Sequence, residues 1–446
     1  MKTYMKTYHE PARDIPVSGE YDVVVAGGGP AGVCAALAAA RNGAKTLLVE
    51  QTNALGGMMT TGLHTHLCTF RSAGSGPRRI VGGVAQEITR RLIDMHSGAE
   101  VGPNFDYELE AMKRLLDDMM EEAGVDILYY TFVADAIVEG NAVKGIIVQN
   151  KTGRSAILAG QVVDATGDAD VAARAGAAFE QGREVDGLCQ PATLMFRIGG
   201  VDYARLQEYR KTDRLLEGFC RRAIDQGLMT PFQTRAMGLW YFAGRPDQLG
   251  INFTNITRVD STRTEDLTRA TVEGRRQAKM LVDAFRKLVP GLENCYMIDS
   301  APYLGVRESR RIRGVETLTI DHVMQTRKSP RGIAKGSFFV DIHSPDETGL
   351  HNPRWLPEDS YYDIPYGCIV PERVDNLTVA GRCISATHEA LGSSRVMYQC
   401  MALGQAAGTA AAICVEQGIA PRQVEVEELR ERLSAQGAIV EPLPGD

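Results

Sequence analysis

A glycine-rich turn between a β-branched run and an alanine-rich segment limits what this chain can fold into more than any other feature. Residues 21–26, YDVVVA, read as a buried parallel strand. Gly27, Gly29 and Gly32 follow at G-x-G-x-x-G spacing. Residues 31–41 then read as an Ala-rich helix stopped by Asn42-Gly43, and 45–49, KTLLV, as the next strand. In such a β-α-β unit the first glycine makes the tight turn. The second lets a pyrophosphate approach the backbone, and the third lets helix and strand pack closely. Pro30 and Ala31 open a helix whose N-terminal N–H groups and positive dipole end suit phosphates. Glu50 ends the second strand 18 residues after Gly32, with Gln51 beside it. A carboxylate there accepts hydrogen bonds from both ribose hydroxyls of an adenosine and repels a 2′-phosphate. Turn, helix and acid together predict a bound dinucleotide on a Rossmann-type α/β domain.

At 446 residues the chain exceeds what one hydrophobic core usually serves, so two domains are expected. Residues 106–123 show helical periodicity and stop at Gly124. Strand-like runs at 126–130, 133–138, 143–149 and 155–158, broken at Gly140-Asn141 and Thr152-Gly153, read as a β-meander. Residues 161–165 read as a further buried strand, 202–226 and 264–288 as two long helices with strand-like pieces between, 376–380 as another buried strand, and 396–416 as a small-residue helix. The expected fold class is therefore α/β. Residues 1–15 form an N-terminal extension, 16–190 with 345–446 form the nucleotide-binding domain with its β-meander, and 191–344 form an inserted α+β substrate or lid domain. The tetrapeptide MKTY occurs at 1–4 and again at 5–8 and reads as a duplicated start.

A nucleic-acid partner needs a basic face, and nothing in the net charge of −7 suggests one, so no nucleic-acid partner is expected. Residues 1–20 carry no apolar signal segment, and 401–415 is too short and too polar to span a bilayer, so a cytoplasmic protein is expected. The nine cysteines show no CxxC spacing, which argues against a zinc knuckle or a dithiol centre; no metal site is expected.

Several segments carry a family resemblance. VVVAGGGPAGVCAALAAARNGAKTLLVEQ (23–51) with LGG (55–57) resembles the N-terminal FAD signature of glutathione-reductase-type flavoproteins. DATGD (164–168) resembles their second FAD motif, and DNLTVAGRCISATHEALGSSRVMYQCMALGQAAGTAAA (375–412) their C-terminal one. With GVRESRRIRG (305–314), these segments are similar to the FAD-dependent oxidoreductase family related to fumarate reductase and succinate dehydrogenase flavoproteins. The resemblance implies FAD with Gly27, Gly29 and Gly32 at its pyrophosphate and Glu50 on its adenosine ribose. It implies Gly56, Gly57 and Met58 under the ribityl side, Val133 against adenine through its backbone, and Ala165 and Gly167 along the AMP half. Gly381 and Arg382 fall beside the ribityl phosphate; many relatives carry an acid where this chain has Arg382, so that contact goes to phosphate or substrate. His64 and His66 lie where some relatives attach flavin covalently, but the matching tripeptide is missing, so non-covalent FAD is expected.

The same resemblance implies a reaction centre. A helix beginning near Val396 and Met397 would point its N-terminus at the flavin, where its dipole stabilises the negative charge of the reduced ring. The segment SATHEALGSSR (385–395) resembles a carboxylate-binding loop of fumarate-reductase-like enzymes, with His388 and Arg395 as counterparts. Arg307, Arg310, Arg311 and Arg313 are dense; on a helix 307 and 311 share one face and 310 and 313 another. They form either a salt-bridged solvated face or, through Arg307 or Arg310, a bidentate clamp for an anionic substrate. His343 and Tyr366 are further candidates. The function expected is hydride transfer between flavin N5 and a small polar, anionic substrate, with a second redox partner that the pattern leaves unnamed, as it does the oligomeric state. The alternatives are a flavin monooxygenase and a non-catalytic or RNA-modifying flavoprotein.

Overall fold

The computed structural model describes residues 7–443 apart from 75, 243 and 347–352; most of the MKTY repeat lies outside the described residues. The β-branched run extends backwards into a longer strand, β1 (Val17–Ala26), whose last four residues are fully buried. Helix α1 (Pro30–Arg41) and strand β2 (Thr46–Val49) complete the first unit. Helix α2 (Leu109–Ala123) begins three residues later than its periodicity suggests. Asn104–Tyr107 is a strand, and the Glu108 carboxylate caps the helix by accepting from the amides of Glu110 and Ala111. Gly124, at φ +69°, ends it.

Four strands follow: β3 (Asp126–Leu128), β4 (Phe132–Glu139), β5 (Ala142–Asn150) and β6 (Gly153–Asp164). Only β4, β5 and β6 form the meander. β3 instead pairs in parallel with β2, so 126–128 belongs to the Rossmann sheet. The two runs read separately at 155–158 and 161–165 are one strand that changes partner along its length. Its first half pairs with β5; its second half pairs with the late strand β7 (Leu377–Val379), and β1 accompanies both. The seven-stranded sheet has the order β3-β2-β1-β6-β5-β4, with β7 also on β6.

Residues 196–300 supply a four-stranded antiparallel sheet in the order Gly238–Phe242, Arg245–Asn252, Phe196–Gly199, Tyr296–Ser300. Helix α3 (Thr264–Leu288) runs as expected, and its apolar side joins a separate buried core built around Phe219, Phe253 and Phe285. The helix expected over 202–226 is two helices, Tyr203–Arg210 and Glu217–Asp225. Asp213 causes the break: its carboxylate accepts from the amides of Gly218 and Phe219, and Leu216 turns through φ +58°.

The C-terminal part returns to the large sheet. Residues 388–394 form a short helix, α4 (His388–Ser394), capped by Thr387, where sequence suggested a loop; α5 (Met397–Gln417) follows. α5 lies against α1 with almost no side-chain spacer. A Cβ placed on Gly404 would stand 2.0 Å from the carbonyl oxygen of Ala31, and one on Gly408 2.0 Å from that of Ala35. Among the described residues no helix is long and apolar enough to cross a membrane.

Candidate functional site

A cavity of roughly 760 Å³ runs from the ends of β1, β2 and β6 to the face of the smaller sheet. Its first half is built by the glycine turn. Gly27 adopts φ +98°, a conformation that side chains resist, and a Cβ there would meet the Ala165 carbonyl at 2.6 Å. A Cβ on Gly32 would fall 1.8 Å from the Gly27 carbonyl oxygen, so this position, which does not line the cavity, serves helix–turn packing. Gly29 does line it, and a Cβ there would meet nothing within 4 Å: the backbone opens directly onto space. Gly29, Pro30 and Ala31 present the N-terminus of α1 to the cavity with no side-chain cap. Val396 and Met397 present the N-terminus of α5 in the same way. Two uncapped helix N-termini on one cavity suit a ligand with anionic groups or hydrogen-bond acceptors at both places.

Glu50 is buried at the end of β2. Its Oε2 accepts from the Gly28 amide at 2.8 Å and its Oε1 from the Thr52 amide at 2.7 Å, which leaves lone pairs on the cavity side for two hydroxyls. Gln51 donates to the Tyr303 hydroxyl at 2.6 Å. Gly57, Met58, Val133, Ala165, Gly167 and Gly381 also line the cavity; Gly56 stands behind, its amide donating to the Gly28 carbonyl at 2.7 Å. Arg382 lines it too, with Nη1 donating to Ser309 Oγ at 2.6 Å and lying 2.9 Å from Asp168 Oδ1. Burial opposes its charge, but Asp168 outweighs that and holds the guanidinium above its ordinary basicity. Asp164 stays out of the cavity. Fully buried, with its proton affinity raised by that burial, it accepts from Thr166 and Ala172 and thereby shapes the turn that carries Gly167.

The far half of the cavity gathers charge. Arg395 Nη2 donates to Asp341 Oδ2 at 2.8 Å, and its buried Nε has no partner. Arg307 is buried and donates to the Pro191 carbonyl at 2.7 Å. Desolvation, then Arg395, bring its basicity down to about 10. His343 Nε2 lies 3.2 Å from Asp341 Oδ1; burial first, then Arg307, press its proton affinity down to about 4 against the pull of Asp341, so the ring is neutral at pH 7. His64 stacks on Trp240 with centroids 4.7 Å apart and feels the charge of Arg307, and His66 and Cys68 also line the cavity.

The sequence profile of the family described as "FAD dependent oxidoreductase" matches residues 22–433, nearly the whole chain. The chain belongs to this family. The fit of the cavity agrees with that cofactor: the open backbone at Gly29, the two uncapped helix ends and the buried acid at position 50 are what FAD requires. This member of the FAD dependent oxidoreductases is an enzyme of oxidoreductase type. It is similar to digeranylgeranylglycerophospholipid reductase 2 of Methanothermobacter thermautotrophicus, 28% identical over 191 residues, or 41% of this chain and 48% of the relative. It is also similar to thiamine thiazole synthase of Aeropyrum pernix, 35% identical over 128 residues, or 28% of this chain and 43% of the relative. The chain thus spans less than half the length of these two relatives. Among solved structures, a geranylgeranyl bacteriochlorophyll reductase-like protein from Thermoplasma acidophilum aligns over 94% of this chain and 84% of its own, at 16% identity and a TM-score of 0.47. The expected kinship with fumarate reductase flavoproteins is not carried by these relatives.

Within this oxidoreductase the cavity collects Arg307, His343 and Arg395 from the candidate catalytic residues and leaves out three others. His388 opens α4 and turns inward, its Nδ1 2.8 Å from Glu308 Oε1, in a buried cluster with Arg311. Arg310 is drawn to Asp170 Oδ1 at 3.2 Å. Tyr366 is buried, and its hydroxyl donates to the Pro421 carbonyl at 2.9 Å. The helical reading of the arginine cluster fails for a stated reason: Arg310–Ile312 is a strand paired with Phe179–Gln181. Arg311 therefore points into the core, to Glu308 and the carbonyls of Ala386 and Gly182. Trp240, Tyr303 and Asp341 line the cavity without having been singled out from sequence.

Proposed function

We propose that this oxidoreductase moves a hydride between bound FAD and a small polar substrate bearing an anionic group. One observation carries the reading. In the far half of the cavity two guanidinium groups, Arg307 and Arg395, share one carboxylate, Asp341, while His343 is neutral at pH 7. The surplus positive charge is complemented by an anion, which a guanidinium fork binds bidentately. Bound FAD supplies a two-electron carrier at its N5. The N-terminus of α5, at Val396 and Met397, would stabilise the negative charge of the reduced ring. Gly27, Gly29, Glu50 and Arg382 would hold the pyrophosphate and ribose, and Asp341 orients Arg395 toward the substrate. On the same reading, residues 16–190 and 345–446 act as the cofactor-binding unit and 191–344 as the substrate unit; the separate core lies within 196–295, while 312–340 pack into the core of the cofactor-binding unit.

The test is an anaerobic screen of carboxylates, alcohols and amines for bleaching of the flavin absorbance. Carboxylates should bleach it, and Arg395→Lys should raise the carboxylate concentration needed for half-maximal bleaching. Bleaching by neutral alcohols or amines, with none by carboxylates, refutes the proposal.

A second reading rests on the aromatic mouth. Phe338, Phe339, Trp355 and Trp240 line the cavity, with Phe339 and Trp355 centroids 4.3 Å apart. That surface suits a long apolar chain, such as that of the digeranylgeranylglycerophospholipid in the name of the lipid reductase relative. Reoxidation of dithionite-reduced protein by prenylated alkenes, and not by polar acids, would favour it.

A further inference from the structure

The cavity also holds an arrangement that hydride transfer does not use. His66–Leu67 is a short strand paired antiparallel with Asn104–Tyr107, which sets His66 directly across from Asp106. His66 Nδ1 lies 2.5 Å from Asp106 Oδ1. Cys68 follows two residues after His66 along extended backbone, so both side chains leave on one side, and both line the cavity. Cys68 stands close enough to His66 to raise the proton affinity of its imidazole. With Nδ1 committed to the carboxylate, Nε2 is the nitrogen left for the thiol. The Trp240 ring lies nearly parallel to that of His66, its centroid 6.3 Å away and the planes within 17°. Of the nine cysteines, eight are buried; Cys68 alone is partly open.

We propose that Asp106, His66 and Cys68 form a nucleophilic thiol site in the cofactor cavity, serving small electrophiles whose carbon–carbon double bond is conjugated to a carbonyl group. The carboxylate fixes the imidazole, the imidazole takes the thiol proton, and the thiolate attacks, the division of labour of an activated cysteine. The sulfur forms a bond to the β-carbon while the π bond breaks, and its electron pair moves to the α-carbon. That carbon takes a proton from His66 Nε2. One proton leaves the thiol and one reaches the adduct, no electrons are gained or lost, and no oxidant is required. Burial works against a charged His66, but Cys68 and Asp106 outweigh it and push its proton affinity up to about 10. Among the described residues, the titratable groups around this pair include His64, whose ring burial keeps neutral, Tyr398 with Arg79 and Glu100 acting on it, and Arg307, which acts on His64.

N-ethylmaleimide is an electrophile of this class and serves as the probe. The FAD-loaded protein is treated near pH 7, and labelled cysteines are identified by peptide mass spectrometry against time. Cys68 should be labelled before the eight buried cysteines and at least about tenfold faster than free cysteine under the same conditions. His66→Gln should slow Cys68 labelling about tenfold or more and remove the imidazole-dependent step from its pH profile; Asp106→Asn should shift that step. Flavin absorbance confirms that each variant is loaded. Should His66→Gln lose its FAD, the Asp106→Asn profile and the wild-type rate against free cysteine decide the matter. Labelling of Cys68 no faster than free cysteine, or at one rate in all three proteins, overturns the proposal. The outcome does not depend on which substrate reduces the flavin.

Discussion

Replacing Glu50 with Gln probes the cofactor cradle at the point where sequence and structure meet. The Glu50 carboxylate does two jobs at once: it accepts from the amides of Gly28 and Thr52, at 2.8 and 2.7 Å, and keeps lone pairs for the ribose. A glutamine has one oxygen and one NH₂, so one buried backbone N–H then faces a donor. That mismatch costs about 1–3 kcal/mol of stability in the cofactor-free protein. The ribose loses a charged acceptor for one of its hydroxyls, about 1.5–3 kcal/mol of binding. At ~1.4 kcal/mol per tenfold, FAD affinity should fall about 10- to 150-fold. The two effects separate experimentally. Denaturant unfolding of the cofactor-free protein reads the first, and titration of that protein with FAD, followed by quenching of flavin fluorescence, reads the second. A dissociation constant that changes less than about threefold would refute the assignment of Glu50 to the ribose, even if stability falls.

Two further outcomes follow. Gly404→Ala should destabilise by about 1–3 kcal/mol, because the new methyl meets the Ala31 carbonyl oxygen rather than a movable side chain; a calorimetric midpoint equal to wild type would contradict the observed closeness of α1 and α5. His343 governs one pH window. Below pH 6.5 the unfolded chain protonates this residue while the folded cofactor-free protein resists down to about pH 4, so stability is complete above 6.5 and declines as pH falls from 6.5 towards 4. His343→Gln should flatten that decline in urea-unfolding curves, and an unchanged slope would remove His343 as its source.

The nucleotide half of the molecule was legible because its determinants are short in sequence. Gly27, Gly29, Gly32 and Glu50 lie within one β-α-β unit, and each answers to a local demand of turn, packing or charge. The substrate half is assembled from positions far apart. Trp240, Tyr303 and Asp341 reach the cavity only through tertiary packing, so no spacing announces them, whereas Arg395 was reached through the resemblance of its segment. Where local pattern was trusted there, tertiary partners overruled it. The arginines of 307–313 looked helical, but pairing with 179–181 made a strand of 310–312 and drew Arg311 inward. His388 sat in a promising segment, yet a helix capped by Thr387 and the buried Glu308 turned its ring away from the cavity. Asp213 marks the helix break through its side-chain chemistry, accepting from the amides of Gly218 and Phe219.

The contact of α1 with α5 also bears on the order in which the protein can be made. α1 and α5 both offer their N-termini to the cavity, and the glycines at 404 and 408 bring the two helices together backbone to backbone. One of these helices is complete by residue 41 and the other only by residue 417. A nascent chain therefore displays its dinucleotide fingerprint hundreds of residues before α5 exists. Capture of the cofactor becomes a late event in synthesis, coupled to docking of the final long helix.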